Sequence, residues 1–249
     1  MFYPEKYIDE IKLQVRFAFR RIGMKSYQIH QICLPGQKLI YIPIPKNACT
    51  SIKHALHEIE FGKTFNASQN EYSRFKSHHD YYNKRSDAFT GINELQNKTG
   101  YFRFTVVRDP VERLLSCYRN RVVDLGDLKS SKSALISKGL PPEPDLNTFI
   151  RYLKRYRKIN KSIEHHSRPQ SRFLGGTLRY FDRVYPMEQL DLLFDKLTDF
   201  YPGLTIRKHK SGGTKVNFNK LSENSLQEII DFYKEDYKLL SKYYSPDSV

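Results

Sequence analysis

The sequence contains no tryptophan and only three cysteines in 249 residues. Cys33, Cys49 and Cys117 are too few, and odd in number, for a disulfide framework, and no cysteine or histidine cluster has the spacing of a zinc site. Long apolar runs are missing from the N-terminal segment, since charged residues interrupt every apolar stretch there. We therefore expect neither a signal peptide nor a membrane anchor, and the free thiols predict a cytoplasmic protein.

Acidic residues are under-represented relative to basic ones: 27 Asp and Glu stand against 42 Lys and Arg, a formal net charge of +15. Such an excess attracts an anionic partner. Nucleic acid, an acidic glycan, a membrane surface and a multiply phosphorylated cofactor all remain possible on charge. The length is sufficient for one domain, 1–249, with a core of its own.

Two strand–turn–helix units stand out. Residues 38–45, KLIYIPIP, predict a buried strand, and the apolar residues at offsets 0, 3, 4 and 7 from Ile52 predict a helix after it. Residues 102–107, FRFTVV, predict a second buried strand, and Pro110 suits the first turn of the helix that follows. Repetition of this unit predicts an α/β fold with a central parallel sheet, whose functional edge lies at the carboxyl ends of the strands.

The rest of the chain predicts further elements. Residues 124–146 are rich in Gly, Pro, Ser and Lys, which predicts a mobile loop. Helices are predicted at about 147–159, 187–200 and 222–244, and a third core strand is predicted at 180–186.

The first motif, at 45–51, lies between a predicted strand and a predicted helix and reads PKNACTS. A helix N-terminus presents unpaired N–H groups, so it binds anions readily. Lys46 adds a mobile charge, and Thr50 and Ser51 add hydroxyl groups. The alternative is an ordinary helix cap formed by Thr50 or Ser51. The glycines of a Walker A loop are absent, which weakens a kinase interpretation.

The second motif, RDPVERLLS, begins with Arg108 at the end of a predicted strand. The planar guanidinium of an arginine suits a phosphate, and Ser116 lies two helical turns further along. The alternative is that Asp109 caps the helix while the arginine forms an ordinary salt bridge.

Together, PKNACTSIKHAL and FRFTVVRDPVERLLSCYRNR resemble the two signatures with which carbohydrate sulfotransferases bind 3′-phosphoadenosine 5′-phosphosulfate (PAPS). The resemblance is greatest to the branch of heparan uronyl 2-O-sulfotransferases and chondroitin and dermatan enzymes. It continues through 166–170, FDRVYPMEQL and Asp236-Tyr237, and covers most of 38–244. It implies a P-loop-like three-layer fold, PAPS as donor with PAP as product, no metal, and transfer of a sulfuryl group to a carbohydrate hydroxyl, possibly on an acidic sugar.

By position, the resemblance implies a set of cofactor-binding residues: Lys46, Asn47, Ala48, Cys49, Thr50, Ser51, Arg108, Ser116 and Lys215. Lys46 is expected to bridge the leaving phosphate and the transferring sulfuryl group, and the backbone of 47–51 to hold the 5′-phosphate. Arg108 and Ser116 are expected to hold the 3′-phosphate. Lys215 belongs to a glycine-containing basic loop that is expected to close over the cofactor, and the alternative is that this loop is only an exposed turn.

The reaction also needs a base for the acceptor hydroxyl, and histidine suits that role near neutral pH. His78 and His79 lie where the uronyl branch places its catalytic histidine, and we favour His79 slightly. His165 and His166 are rivals, although the resemblance gives a histidine before Arg-Pro-Gln a more structural or substrate-binding character.

Other functions remain to be weighed. A P-loop-type kinase is one alternative, and a basic nucleic-acid-binding module is another, although no RNA- or DNA-binding signature occurs. A third is a family member that binds glycans without catalysis. We expect no nucleic acid as a partner and no stable membrane insertion, and the sequence does not indicate an oligomeric state.

Overall fold

The computed structural model of the protein describes residues 28–65, 77–205 and 221–248. Its strands are β1 (Gln28–His30), β2 (Ile32–Leu34), β3 (Leu39–Ile42), β4 (Phe89–Gly91), β5 (Phe102–Val107) and β6 (Arg183–Pro186). The α-helices before β6 are α1 (Cys49–Phe61), α2 (His78–Asn83), α3 (Ile92–Asn97), α4 (Pro110–Cys117), α5 (Lys132–Ile136), α6 (Leu146–Arg151), α7 (Leu153–Ile159), α8 (Lys161–Ser167) and α9 (Gln170–Phe173). Those after it are α10 (Leu190–Thr198), α11 (Glu223–Phe232) and α12 (Lys234–Leu239).

The main sheet has the strand order β2–β3–β5–β6. Strands β3, β5 and β6 run parallel, whereas the edge strand β2 pairs antiparallel with β3. The predicted parallel sheet is therefore confirmed, with an antiparallel strand added at one edge. A separate two-stranded ribbon pairs β1 with β4.

Helices cover both faces of this sheet, which accounts for the continuous apolar character of its strands. Alternate residues of β3 point to opposite sides, so Leu39 packs in one core cluster and Ile40 in another. The first cluster contains apolar side chains of α1 and α10, and the second contains Leu95 of α3 and Leu240, the residue after α12. The result is a sheet between two helical layers.

The segment 124–146 differs from the sequence-based expectation of a loop. It contains a 3-10 helix, Asp127–Ser131, and the helix α5. Leu128 and Leu135 are fully buried in a third apolar cluster, which also contains side chains of α4, α6, α7 and α11. The glycines and prolines lie between short helical turns whose leucines contribute to this core.

Two predicted long helices are each divided in the structure. The predicted helix at 147–159 is interrupted at Tyr152, between α6 and α7, and the C-terminal helix is interrupted at Tyr233, between α11 and α12. No helix within the described residues is long and apolar enough to cross a membrane.

Candidate active site

The turn between β3 and α1 has a strained backbone at two residues. Lys46 and Ala48 have φ values of 73° and 54°, which lie in the left-handed region of the backbone that residues other than glycine rarely adopt. Ala48 is the N-cap of α1, and no side chain caps this helix. The alternative in which Thr50 or Ser51 serves as the cap is therefore wrong, and the N–H groups of the first turn are left for another acceptor.

Asn47 fixes this turn from within the core. Its side chain is fully buried, and Nδ2 donates to the backbone oxygen of Val106 at 2.8 Å and to Oε1 of Gln170 at 2.7 Å. Gln170 Oε1 also accepts from the N–H of Arg108, and its Nε2 donates to the carbonyl of Arg108. Gln170 thus connects the turn after β3 with the end of β5. In turn, the carboxylate of Asp236 accepts from the N–H of Gln170 at 2.7 Å.

Arg113 is a second internal brace of the turn. This fully buried arginine donates from Nε to the carbonyl of Pro45 at 3.0 Å and from Nη1 to the carbonyl of Arg168 at 2.8 Å. Its guanidinium is therefore a structural group that holds the Pro45 side of the turn.

Lys46 points toward the end of α4. Its ammonium donates to Oδ1 of Asn120 at 2.7 Å, and burial lowers the pKa of Lys46. Asn120 belongs to a π-helix, Tyr118–Asp124, that continues α4. Such turns are rare and occur often at functional sites, because they aim successive side chains in new directions.

Arg108 lies beside Lys46, as expected for the ends of neighbouring parallel strands. Its Nη1 donates to the carbonyl of Lys46 at 3.4 Å, and its Nε and Nη2 contact Glu112 Oε2 at 3.3 Å. Asp109 caps α4 by accepting from the N–H of Glu112. The helix cap at Asp109 and the salt bridge of Arg108, which the sequence offered as the alternative to phosphate binding, are thus both present. Half-buried Ser116 makes no hydrogen bond to Arg108 within the described residues.

Both ring nitrogens of His79 face groups of α1. Nδ1 lies 3.1 Å from the ammonium of Lys53, and Nε2 lies 3.2 Å from the hydroxyl of Thr50. With Lys53 protonated, Nδ1 accepts and Nε2–H donates to Thr50. Burial, followed by the charge of Lys53, lowers the pKa of His79 to about 4. His78 begins α2, but its side chain lies outside what the structure describes, as does the whole of Lys215.

His166 is held differently. Its Nδ1 lies 2.8 Å from the carbonyl of Ser162, and because a carbonyl can only accept, Nδ1 carries the proton. Burial lowers the pKa of His166 to about 4, and the positive charges of Arg121 and Lys46 contribute. The charge of Lys46 thus acts on His166 across the site.

A basic cluster lies on the α1–α2 side of the site. Lys53 is 4% exposed, and its charge lowers the pKa values of His30 and His79. Nε2 of His30 is buried and has no hydrogen-bond partner among the described residues. After burial, the causes that lower the pKa values of these two histidines are the charges of other basic side chains, with Lys53 the first of them. The cluster is therefore electrostatically suited to an anion.

Comparison with known proteins adds an independent observation. A model of the sulfotransferase family matches residues 30–244, which include both motifs, the π-helix and the histidines described above. The chain belongs to the sulfotransferase family. No curated protein and no solved structure gave a match.

Membership identifies the protein as a transferase that moves sulfuryl groups, and neither the kinase nor the nucleic-acid-binding alternative is favoured. Its fold, a largely parallel sheet between helices, is consistent with that of a sulfotransferase. The match does not separate the carbohydrate branch from the others.

Several residues that build the sulfotransferase site were not singled out from the sequence. Arg113 lies within the second motif, Asn120 lies in the π-helix after it, and Gln170 lies within the Arg-Pro-Gln segment, but their roles depend on contacts across the chain. The buried Asn47 was expected to contribute its backbone, whereas its side chain proves to be a structural link.

Proposed function

We propose that this sulfotransferase transfers the sulfuryl group of PAPS to a hydroxyl group of a carbohydrate by in-line displacement. The observation that carries the proposal is the uncapped N-terminus of α1, which follows Lys46 in the chain, with Arg108 in contact with the carbonyl of Lys46. Its N–H groups and these two cations fit a donor that carries phosphate groups at both ends of its ribose.

The residues present fit PAPS in a defined way. The backbone of 47–51 would hold the 5′-phosphate, and Arg108, with Ser116, would hold the 3′-phosphate. For this contact Arg108 would exchange Glu112 for the phosphate, since the guanidinium fork cannot serve both fully. When bound, PAPS supplies an activated sulfuryl group.

The chain's own residues would supply positioning and charge, which dominate catalysis of this type of transfer. The Lys46 ammonium, oriented by Asn120, would neutralise the charge that develops on the leaving phosphate oxygen. A histidine would accept the proton of the acceptor hydroxyl. The basic cluster around Lys53 supports an acidic sugar as acceptor, because a carboxylate or sulfate there would offset the buried charge.

Two measurements test the proposal. PAP should raise the melting temperature clearly, and ATP with Mg²⁺ should raise it much less, because only the native state binds PAP. Labelled sulfate should then pass from PAPS to a member of a panel of acidic and neutral glycans, lipids and small alcohols. Equal stabilisation by ATP, or transfer to lipids or small alcohols alone, would refute the donor or the acceptor part, respectively.

A further inference from the structure

Two of the candidate histidines, His79 and His166, differ in which ring nitrogen can accept a proton. A general base needs an unprotonated nitrogen that faces the reacting group. The pKa values of His79 and His166 are both lowered to about 4, so the pKa does not show which ring is the base. The two rings differ in their hydrogen bonds.

The lone pair of His79 is already engaged. Nδ1 accepts from Lys53, and the protonated Nε2 is directed to Thr50. Thr50 stands in the first turn of α1, on the proposed donor side of the site. These contacts make His79 a positioning residue for the Thr50 hydroxyl, since Thr50 Oγ1 accepts from the ring and is left to donate its own proton.

The lone pair of His166 is open. Its Nδ1–H donates to the Ser162 carbonyl, so Nε2 is the unprotonated nitrogen of the neutral ring. Within the described part of the chain Nε2 has no hydrogen-bond partner, yet it is not a buried atom. An accessible, unprotonated nitrogen within electrostatic reach of Lys46 is what a proton acceptor at this site requires.

The π-helix after α4 holds both groups. Asn120 contacts the Lys46 ammonium, and the next residue, Arg121, donates from Nη2 to the hydroxyl of Ser162 at 2.9 Å and from Nε to Asp127 at 2.6 Å. The Ser162 hydroxyl also contacts Asp127. Arg121 and Asp127 thus hold Ser162, whose carbonyl sets the tautomer of His166.

We propose that His166 is the general base of the transfer and that Asp127, Arg121 and Ser162 position it. This inference rests on the proposed function. As the acceptor oxygen bonds to sulfur, its O–H bond breaks and the proton passes to Nε2 of His166. The bond between sulfur and the phosphate oxygen breaks, and its electron pair leaves with PAP beside Lys46. The imidazolium that forms keeps its Nδ1–H bond to Ser162.

The anionic donor supports this assignment. Burial lowers the pKa of His166 most, and the positive charges of Arg121, Lys46 and, when protonated, His165 lower it further in the free protein. A phosphate beside Lys46 would cancel part of that repulsion, so the pKa of His166 would rise toward neutrality when the donor is bound. The base would then become stronger in the complex.

The test compares His166→Ala, His79→Ala and His165→Ala with the acceptor identified for the native enzyme. His165 is the matched control, because it is the exposed neighbour whose ring packs on Phe173 at 5.8 Å. His166→Ala should lower kcat by about a hundredfold or more while leaving PAP affinity within about twofold, and added imidazole should restore part of the rate. His165→Ala should retain kcat within about threefold.

A second readout does not depend on turnover. Nitrogen-15 NMR of the histidine rings at pH 7.5 should show His166 with its proton on Nδ1 and His79 with its proton on Nε2. A proton on Nε2 of His166, or normal kcat in folded His166→Ala with loss of kcat in His79→Ala, would overturn the inference and leave the proposed function intact. A native protein that neither binds PAP nor uses PAPS would refute both.

Discussion

The Lys46 ammonium is held 2.7 Å from Oδ1 of Asn120, a residue of the π-helix that follows the second motif. The contact joins the first motif to the π-helix that follows the second, through two side chains that are 74 positions apart in the sequence. Because Asn120 is neutral, it orients the ammonium without neutralising it. The full charge of Lys46 remains for a leaving group.

Lys46→Ala should therefore reduce kcat more than it weakens PAP binding. A charge that acts on the developing phosphate stabilises the transition state more than the ground state. We expect a loss in kcat on the order of a hundredfold, as for removal of other preorganised donors. Lys46→Arg should rescue only partly, since a planar fork does not replace a compact ammonium. Steady-state kinetics and calorimetry with PAP would check this, and a near-normal kcat with a raised KM would make Lys46 a binding residue only.

If Arg108 binds the donor as proposed, Glu112 competes with the donor for it, because the two side chains form an ion pair. Glu112→Gln should tighten PAP binding by about twofold to fivefold, because it removes a half-exposed ion pair that must open first. Arg108→Ala should weaken binding strongly, since a phosphate loses a bidentate partner. In the double variant, which also carries Arg108→Ala, Glu112→Gln should no longer increase PAP affinity. If calorimetry shows the same gain with and without Arg108, the competition does not exist.

His79→Ala should weaken PAP binding rather than act on kcat alone. Its ring orients the Thr50 hydroxyl, so loss of the ring should cost between about twofold and tenfold in PAP affinity, the range of one hydrogen bond. Thr50→Val should have a similar effect, and the two changes together should not add. Unaltered PAP affinity in His79→Ala, combined with a large fall in kcat, would return His79 to the role of base.

Acid should destabilise the fold between pH 6.5 and 4. His30, His79 and His166 each have a pKa lowered from 6.5 to about 4, mainly by burial. The unfolded chain binds more protons than the folded chain in this window, so the stability present above pH 6.5 is lost as the pH falls toward 4. Urea denaturation at a series of pH values should show that the free energy of unfolding falls as the pH is lowered through this window.

His30→Phe isolates one contribution to that slope. The ring packs on Phe89 at 5.3 Å, and its buried Nε2 has no partner among the described residues, so phenylalanine should fit with little loss at pH 7.5. The slope of the free energy of unfolding against pH should fall by at most the contribution of one proton, about 1.4 kcal/mol per pH unit. An unchanged slope would mean that His30 is already neutral in the unfolded chain or charged in the folded one.

The two strand–turn–helix units could be read from the sequence because their signals are local. Strand, turn and helix are predicted here by the apolar runs of β3 and β5 and by the proline that begins α4, and no contact with a distant residue is needed for the prediction. The same local signals placed Lys46 and Arg108 at one edge of the sheet. The structure agrees, with Arg108 donating to the carbonyl of Lys46.

Other features could not be read because they depend on long-range contacts. The segment 124–146 has the composition of a loop, and its leucines show their role only where α4 and α11 cover them. The link from Asn47 to Gln170 spans 123 positions, and no local pattern indicates it. The tautomers of His79 and His166 likewise depend on which neighbour each ring meets, and this decides between the candidate bases.

The hydrogen bond from the N–H of Gln170 to the carboxylate of Asp236 has a consequence for synthesis of the protein. Both motifs have been synthesised once Ser116 has been added, yet the side chain of Asn47 bonds to Gln170, and the N–H of Gln170 bonds to the carboxylate of Asp236. A nascent chain that already contains every residue of the two motifs therefore lacks the contacts that brace the turn between β3 and α1. We expect truncation just before α12 to give a polypeptide that carries both motifs and lacks these contacts.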